Sequence, residues 1–585
     1  MKKLFLLLLI FFIQGQGWSQ INLITKFEQT EGKETVSYEE GIAYLTMLDD
    51  RFDCIKLVSQ GNTDGGLPLH TAILSLNRSF NPDSLQSQGK LIVMINNNIH
   101  AGEPDGVDAS LMLMRDIAIQ TRQEPRSKLV KMMQDVVLVI VPFYNIEGVR
   151  NRNTSSRVNQ NGPKSYGFRG NGRNYDLNRD FIKTDTENAK TFIRIFQQWN
   201  PDIYIENHTT NGADYQHIIT YLSTQPDKLG GVLGEYMRNE LSPKIEQEMK
   251  KDNFQVCPYV TAFDNTPDNG YSGFLDSPRY SIGYTSLFGT ISYIVEAHML
   301  KPFKERVEGT YKFMENTLSL ASKDIINIKK LRVQYLQNIK TQKEFNLQWK
   351  NDEKLFDSIN FNGYKATTIP SKVTTGNRLY YDRKQPYTKK IPFFGYFKPK
   401  LTIQKPKAYI IPKSWHNIVD KLKANNVKCD TFLKDTLLKI QAYYIKEFET
   451  IPKPFEGHYL HSKVVLDTIS QEILFEKGDY LIYTNQTNNR YIIETLEPQG
   501  IDSFFAWNFF DSILQQKEHY SSYIFEDVAL KLLQENPKLK EVFENEKAKN
   551  IQFSKDAEAQ LDFIYKKSTH YEKTYNRYPI FRLLN

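Results

Sequence analysis

The stretch KLIVMINNNIHAGEPDGVDASLMLMRDIAI, Lys90–Ile119, decides how the rest of the chain is read. An apolar run of strand length, Leu91 to Ile95, gives way to asparagines and then to His100 and Glu103. Pro104 and a segment with apolar residues at helical spacing follow at once. Strand, polar turn and helix form the unit of a parallel sheet. In open sheets of that kind, residues just beyond a strand's carboxyl end face the ligand crevice. A His-x-x-Glu pair alone is a weak signal, so the neighbouring segments must decide what it does.

Working outward, DVVLVIVPFYN (135–145) is a near-continuous apolar run, expected of a strand covered on both faces. Thr186 to Trp199 reads as a helix, and Asp202–Glu206 and Thr290–Glu296 as strands. The expected fold is α/β, a mostly parallel, mixed and twisted sheet with helices on both faces. LPLHTAILSLN (67–77) is expected at the edge of that sheet. Four divisions follow: a signal peptide at 1–19, a catalytic domain at 20–320, a helical linker at 321–366, and a mixed, β-rich accessory domain at 367–585. The last is marked by a change to Tyr, Phe, Lys and Pro from about Thr367.

Composition sets limits on function. Apolar residues at 40% and aromatics at 13% suffice for packed cores in a chain of 585 residues. The N-terminus has Lys2 and Lys3, an apolar stretch Leu4–Ile13 too short to span a bilayer, then Gly17 and Ser19. Cleavage near Ser19, export to the periplasm or the medium, and no integral membrane span afterwards are expected. Net charge is +7, and loss of the two lysines leaves +5, spread without dense basic blocks, which argues against a nucleic-acid partner. The cysteines Cys54, Cys257 and Cys429 are too few and too scattered for a disulfide framework.

The chemistry converges on one sheet edge. His100 and Glu103 follow the first strand, His208 in NHTT follows Asp202–Glu206, and Glu296 ends TISYIVE. Two histidines and a glutamate are a catalytic zinc ligand set that leaves a position for water. A nearby carboxylate, Glu296, can then take that water's proton as it attacks a carbonyl. GFRGNGRNYDLNRDF (167–181) is a glycine-punctuated loop carrying Arg169, Arg173, Asn178 and Arg179, and arginine's planar fork suits capture of a carboxylate.

His100-Ala-Gly-Glu103, DLNRDF with Asn178 and Arg179, His208 after a strand and Glu296 at a strand's end resemble, in order and spacing, the zinc carboxypeptidases that include carboxypeptidase A. The resemblance spans roughly Lys90–Pro302. It implies one zinc ion held by His100, Glu103 and His208, with Glu296 as general base and later proton donor. It implies that Asn178 and Arg179 bind the free carboxylate of a peptide or protein C-terminus, and that Arg169 faces the oxyanion, with Arg157 as its rival. Two departures stand out. Gly102 occupies the place where many relatives have arginine, and Tyr271, Tyr280 and Tyr284 compete for the role of the tyrosine that closes over substrate.

Other readings compete. A zinc amidase or deacylase acting on cell-wall peptide or acylated amino acids would use similar ligands. A non-catalytic exported protein binding glycan or peptide would need none of them, and Leu379–Tyr409 has the aromatic and lysine content of such a surface. His298, two residues past Glu296, faces the same side of a continuing strand and reads as a neighbour of the site or as core. His458 and His461, spaced as on a helix, read as surface residues.

Overall fold

The computed structural model describes residues 23–263 and 265–584, so the expected signal segment lies outside the described residues. The strands of the first half are β1 (Ile55–Asn62), β2 (Pro68–Leu74), β3 (Leu91–Asn96), β4 (Val136–Val141), β5 (Ile203–Thr210), β6 (Ile219–Ser223), β7 (Cys257–Pro258), β8 (Tyr271–Ser272) and β9 (Ile291–His298). All but β8 form one eight-stranded sheet in the order β1-β2-β4-β3-β5-β9-β6-β7. The central pairs β4/β3, β3/β5 and β5/β9 are parallel, while β1/β2, β2/β4 and β9/β6 are antiparallel. This is the α/β mixed sheet that the strand–helix alternation implies. LPLHTAILSLN supplies β2, one place in from the edge, because β1 pairs outside it. With its polar and glycine positions, β1 lacks the clean apolar run that reveals β3 and β4.

The buried runs explain the centre. Every residue of β3 and β4 is buried, and each fully buried aliphatic side chain contributes about 1.5–3 kcal/mol relative to exposure. Helix α1 (Asp105–Gln123) begins at Pro104 with Asp105 and Asp108 in its first turn, where carboxylates suit the helix dipole. Asp105 is fixed further by the buried Arg306 at 2.8 Å. Helix α2 (Glu187–Trp199) is capped by Thr186, whose hydroxyl accepts from the Ala189 amide. It ends at Asn200 in the left-handed region, φ 43°. Helices α3 (Ser242–Lys251) and α4 (Phe303–Ser322) cover the sheet beside β6 and β9.

Of the span 321–366, only the last two residues of α4, and α5 (Ile325–Thr341), are helical, a correction to the expected helical linker. Glu344–Asn351 (β10) and Asp357–Pro370 (β11) are strands. β10 buries Phe345 and Leu347 on alternate positions, a period of two that the surrounding charges mask in sequence. Asn377–Phe394 (β12) pairs with β11 in a long hairpin that docks on β8, and β13 (Phe397–Gln404) pairs with β10. The remaining strands, β14 (Ala408–Ile411), β15 (Asp430–Thr431), β16 (Thr436–Thr450), β17 (His461–Phe475), β18 (Tyr480–Tyr483) and β19 (Phe581–Leu583), build a six-stranded sheet. Helices Ser522–Glu535, Pro537–Lys549 and Ala557–Lys566 pack on one another beside it, so this part is mixed and β-rich, as its composition implies. One apolar core runs from Phe27 through the central sheet to Tyr409, Trp507 and Ile580.

Candidate active site

Three parallel strands end side by side and deliver the chemistry. Asn96 of β3 is in register with Glu206 of β5, and His208 of β5 with Glu296 of β9. The loop after β3 folds back so that the Glu103 amide donates to the His100 carbonyl at 2.9 Å. As a result His100 Nδ1 and Glu103 Oε2 lie 3.2 Å apart, His208 Nδ1 and Glu103 Oε2 3.1 Å apart, and the two Nδ1 atoms 3.1 Å apart. All three residues are buried, and they form a group able to hold a metal ion.

The protons show why that group suits a cation. His208 Nε2 faces the buried Glu206 carboxylate at 2.9 Å, and His100 Nε2 faces Asp176 at 3.1 Å. Each outer nitrogen therefore carries its proton towards a carboxylate, which turns both inner Nδ1 lone pairs onto Glu103 Oε2. Three electron-rich atoms meeting at one point repel unless a positive charge sits between them. Four ligands held tetrahedrally at about 2.0–2.1 Å, as around zinc, stand roughly 3.3 Å apart, close to the separations found. Burial lowers the proton affinity of His208, but Glu103 and Glu206 outweigh it and raise its pKa to about 10, so without a metal a second proton on Nδ1 supplies the positive charge that the site favours. The residues present fit zinc.

A cavity of about 410 Å³ opens over this group. His100, Glu103, His208, Glu296, Arg169, Asn178 and Arg179 all line it, so every residue expected from the sequence meets in one place. Burial pushes the Glu296 carboxyl up to about 8, with the Glu103 charge adding to it and His208 and Arg169 opposing. The DLNRD segment is shaped by its own aspartates. Asp176 accepts from the Asn178 amide at 2.9 Å, and Asp180 accepts from the Asp185 and Thr186 amides, both at 3.0 Å. The tight turn between them presents Asn178, whose buried Oδ1 has no partner, and Arg179, whose guanidinium lies 4.6 Å from the centre of the Tyr280 ring.

The two candidate oxyanion arginines have different surroundings. Arg157 Nη1 is 3.0 Å from Glu103 Oε1, and its Nη2 donates to the Thr209 carbonyl at 3.2 Å. Arg169 is gripped by Asp176 through Nε and Nη2, at 3.1 and 2.9 Å, and stands 3.8 Å from Glu103 Oε1. Gly102 is explained by the same arrangement, because a Cβ there would sit 2.6 Å from Arg157 Cδ. Among the candidate tyrosines, Tyr280 lines the cavity. Tyr284 is buried and donates to Asn425 at 2.6 Å, and Tyr271 donates to the Pro258 carbonyl at 2.7 Å.

Sequence reading missed Asp176, Glu206 and Tyr259. Glu206 was within reach, since it lies two positions before His208 on a strand and so shares its face. His298 is core, stacked 4.2 Å from the Tyr215 ring and pushed down to about 3 by burial. His458 and His461 are neither helical nor at the surface. His458 sits in a loop, paired with Asp185 at 2.7 Å, and His461 is buried at the start of β17. Their spacing of three reflects a turn into a strand.

Residues 42–217 match the family model described as zinc carboxypeptidase. Carboxypeptidase 2 of Trichophyton rubrum is 23% identical over 453 residues, covering 72% of this chain and 74% of its own. A probable carboxypeptidase 2 of Arthroderma benhamiae is 22% identical over 451 residues, covering 71% and 75%. A metallo-carboxypeptidase structure from Burkholderia cenocepacia aligns with a TM-score of 0.37 and 16% identity, over 50% of this chain and 70% of its own.

Proposed function

We propose that the chain belongs to the zinc carboxypeptidase family, metal-dependent hydrolases of peptide C-termini, and that its own residues divide the work as follows. His100, Glu103 and His208 would hold one zinc ion. Bound there, zinc supplies a Lewis acid that polarises a carbonyl and lowers the pKa of water towards neutrality. Glu296 takes the proton of the attacking water and hands it to the departing amine. Arg169, which lines the cavity, faces the developing oxyanion, while Arg157 holds Glu103 Oε1 and leaves Oε2 for the metal. Arg179 and the Asn178 side-chain amide, through its NH2 group, take the substrate's terminal carboxylate, which fixes the last peptide bond over the metal group.

The observation that carries this reading is the convergence of three donor atoms, 3.1–3.2 Å apart, in the cavity that also holds Glu296 and Arg179. The expected result is release of single C-terminal residues from free-acid peptides, abolished by a zinc chelator and lost by at least about 10²-fold in Glu296→Gln that still binds zinc. Equal cleavage of the C-terminal amide would instead point to the amidase reading. We also propose that the protein is exported, on the basic and apolar pattern of residues 1–19; among the described residues no helix is long and apolar enough to cross a membrane.

A further inference from the structure

A second cavity, of about 350 Å³, adjoins the first and shares Leu222, Tyr259 and Phe274 with it as a common wall. Its place relative to the carboxylate anchor is fixed by aromatic contacts. Phe274 meets Tyr280 edge-on at 5.1 Å, and the Arg179 guanidinium rests on the other partner in that contact, the Tyr280 ring. The terminal residue of a peptide carries its carboxylate and its side chain on the same carbon. With the carboxylate on Arg179, the side chain therefore emerges beside Phe274.

We propose that this second cavity receives the side chain of the residue being removed, and that Glu246 at its wall selects a cationic one, lysine or arginine. The inference rests on the carboxypeptidase reading above. The approach is lined by Phe274, Ile359 and Phe393, surfaces suited to the aliphatic stem of a long side chain. The same cavity is lined by Glu246, on α3, whose Oε1 accepts from Tyr221 Oη at 2.6 Å and which has no ion pair among the described residues. The cavity's own arginine does not neutralise it, because Arg238 is clasped by Asp227 at 2.6 and 2.8 Å. Asp357 adds a further acidic group, taking the Tyr396 hydroxyl at 2.9 Å. Burial, reinforced by Asp357, raises the Glu246 carboxyl, as expected of negative charge that lacks a counterpart.

A lysine or arginine head would supply that counterpart. A glutamate would be repelled, and a leucine or phenylalanine would leave Glu246 uncompensated. Ile359, Phe393, Tyr396 and Asp357 all come from the β11–β13 region, outside the residues that match the family model. The second half of the chain would thus help to choose the substrate.

The test compares peptides of one body ending in Lys, acetyl-Lys, Arg, Leu or Glu, and measures kcat/KM for release of the last residue by the zinc-loaded full chain. Lysine is expected to exceed acetyl-lysine by about tenfold to a hundredfold, as for a charged hydrogen bond. Glu246→Gln is expected to lower the Lys:Leu ratio at least tenfold, and Asp357→Asn to lower it less. Equal rates for lysine and acetyl-lysine, or equal losses on all peptides in Glu246→Gln, overturn the inference and leave the carboxypeptidase reading intact. Release of no residue from any free-acid peptide overturns both.

Discussion

Glu206 does two jobs at once at the residue scale. Its Oε1 accepts from Asn96 at 2.9 Å and from the Tyr204 hydroxyl at 2.7 Å, which ties β5 to β3, while Oε2 holds the outer nitrogen of His208. An anion there makes the ring a better donor to a metal. Glu206→Gln is therefore expected to weaken zinc binding by about 10–100-fold, read by competition with a chelator of known affinity. The melting curve of the metal-free protein should move much less than the affinity does. Asp176→Asn should weaken zinc binding too, but it should also release Arg169, so its kcat should fall further at saturating zinc. A sequence reveals ligands more readily than the groups that aim them. His100, Glu103, His208 and Glu296 follow strand ends and were legible. Asp176's hold on His100 and Arg157's hold on Glu103 act across a fold the sequence does not display.

The element that matters most is the segment Tyr175–Asp185, since it bears Asn178 and Arg179. Its own aspartates shape it, but its position is set from the far end of the chain. The Asp176 amide donates to Glu456 Oε2 at 2.8 Å, across 280 residues of sequence. Gly457 packs so tightly on Tyr175 that a Cβ would lie 2.7 Å from its Oη, and its φ of +81° also favours glycine. His458 pairs with Asp185 at 2.7 Å, and Lys421 Nζ donates to the Lys183 carbonyl at 2.5 Å. None of this is periodic, so no pattern in the sequence announces it. Burial acts against the charge on His458, but Asp185 and Asn508 outweigh it and raise the pKa. Burial likewise raises Asp185, yet His458 and Lys183 outweigh it and bring the carboxyl down to about 2. The His458 contribution is full below the unfolded value of 6.5 and is lost as pH rises through the higher folded value. The Asp185 contribution is full above 3.8 and is lost as pH falls towards about 2. His458→Ala is accordingly expected to cost about 1.5–3 kcal/mol between these limits, and less at alkaline pH, as measured by denaturant titration across pH.

For the whole molecule, the continuous core is the governing fact. Residues from β14 and the Phe504–Phe510 segment pack into the same apolar mass as the central sheet. The parent chain is expected to unfold in one cooperative calorimetric transition, and a chain ending at Thr341 is expected to show no native-like melt. Two separate transitions would mean that the halves are independent. The alternation of strands and helices made the central sheet readable, whereas the role of the second half was not, because its contacts with the site are distant in sequence. Glu456 is also made late. A ribosome adding about 5–20 residues per second reaches it roughly 10–30 s after Glu296. Throughout that interval the growing chain holds its candidate zinc ligands and base, but Tyr175–Asp185 lacks its outer support. Nascent chains arrested between Glu296 and Glu456 should therefore bind zinc weakly and cleave nothing, and hydrolysis should begin only when the later segment arrives. Order of synthesis would then act as a delay, keeping the hydrolase idle until the segment that props its carboxylate anchor has followed it.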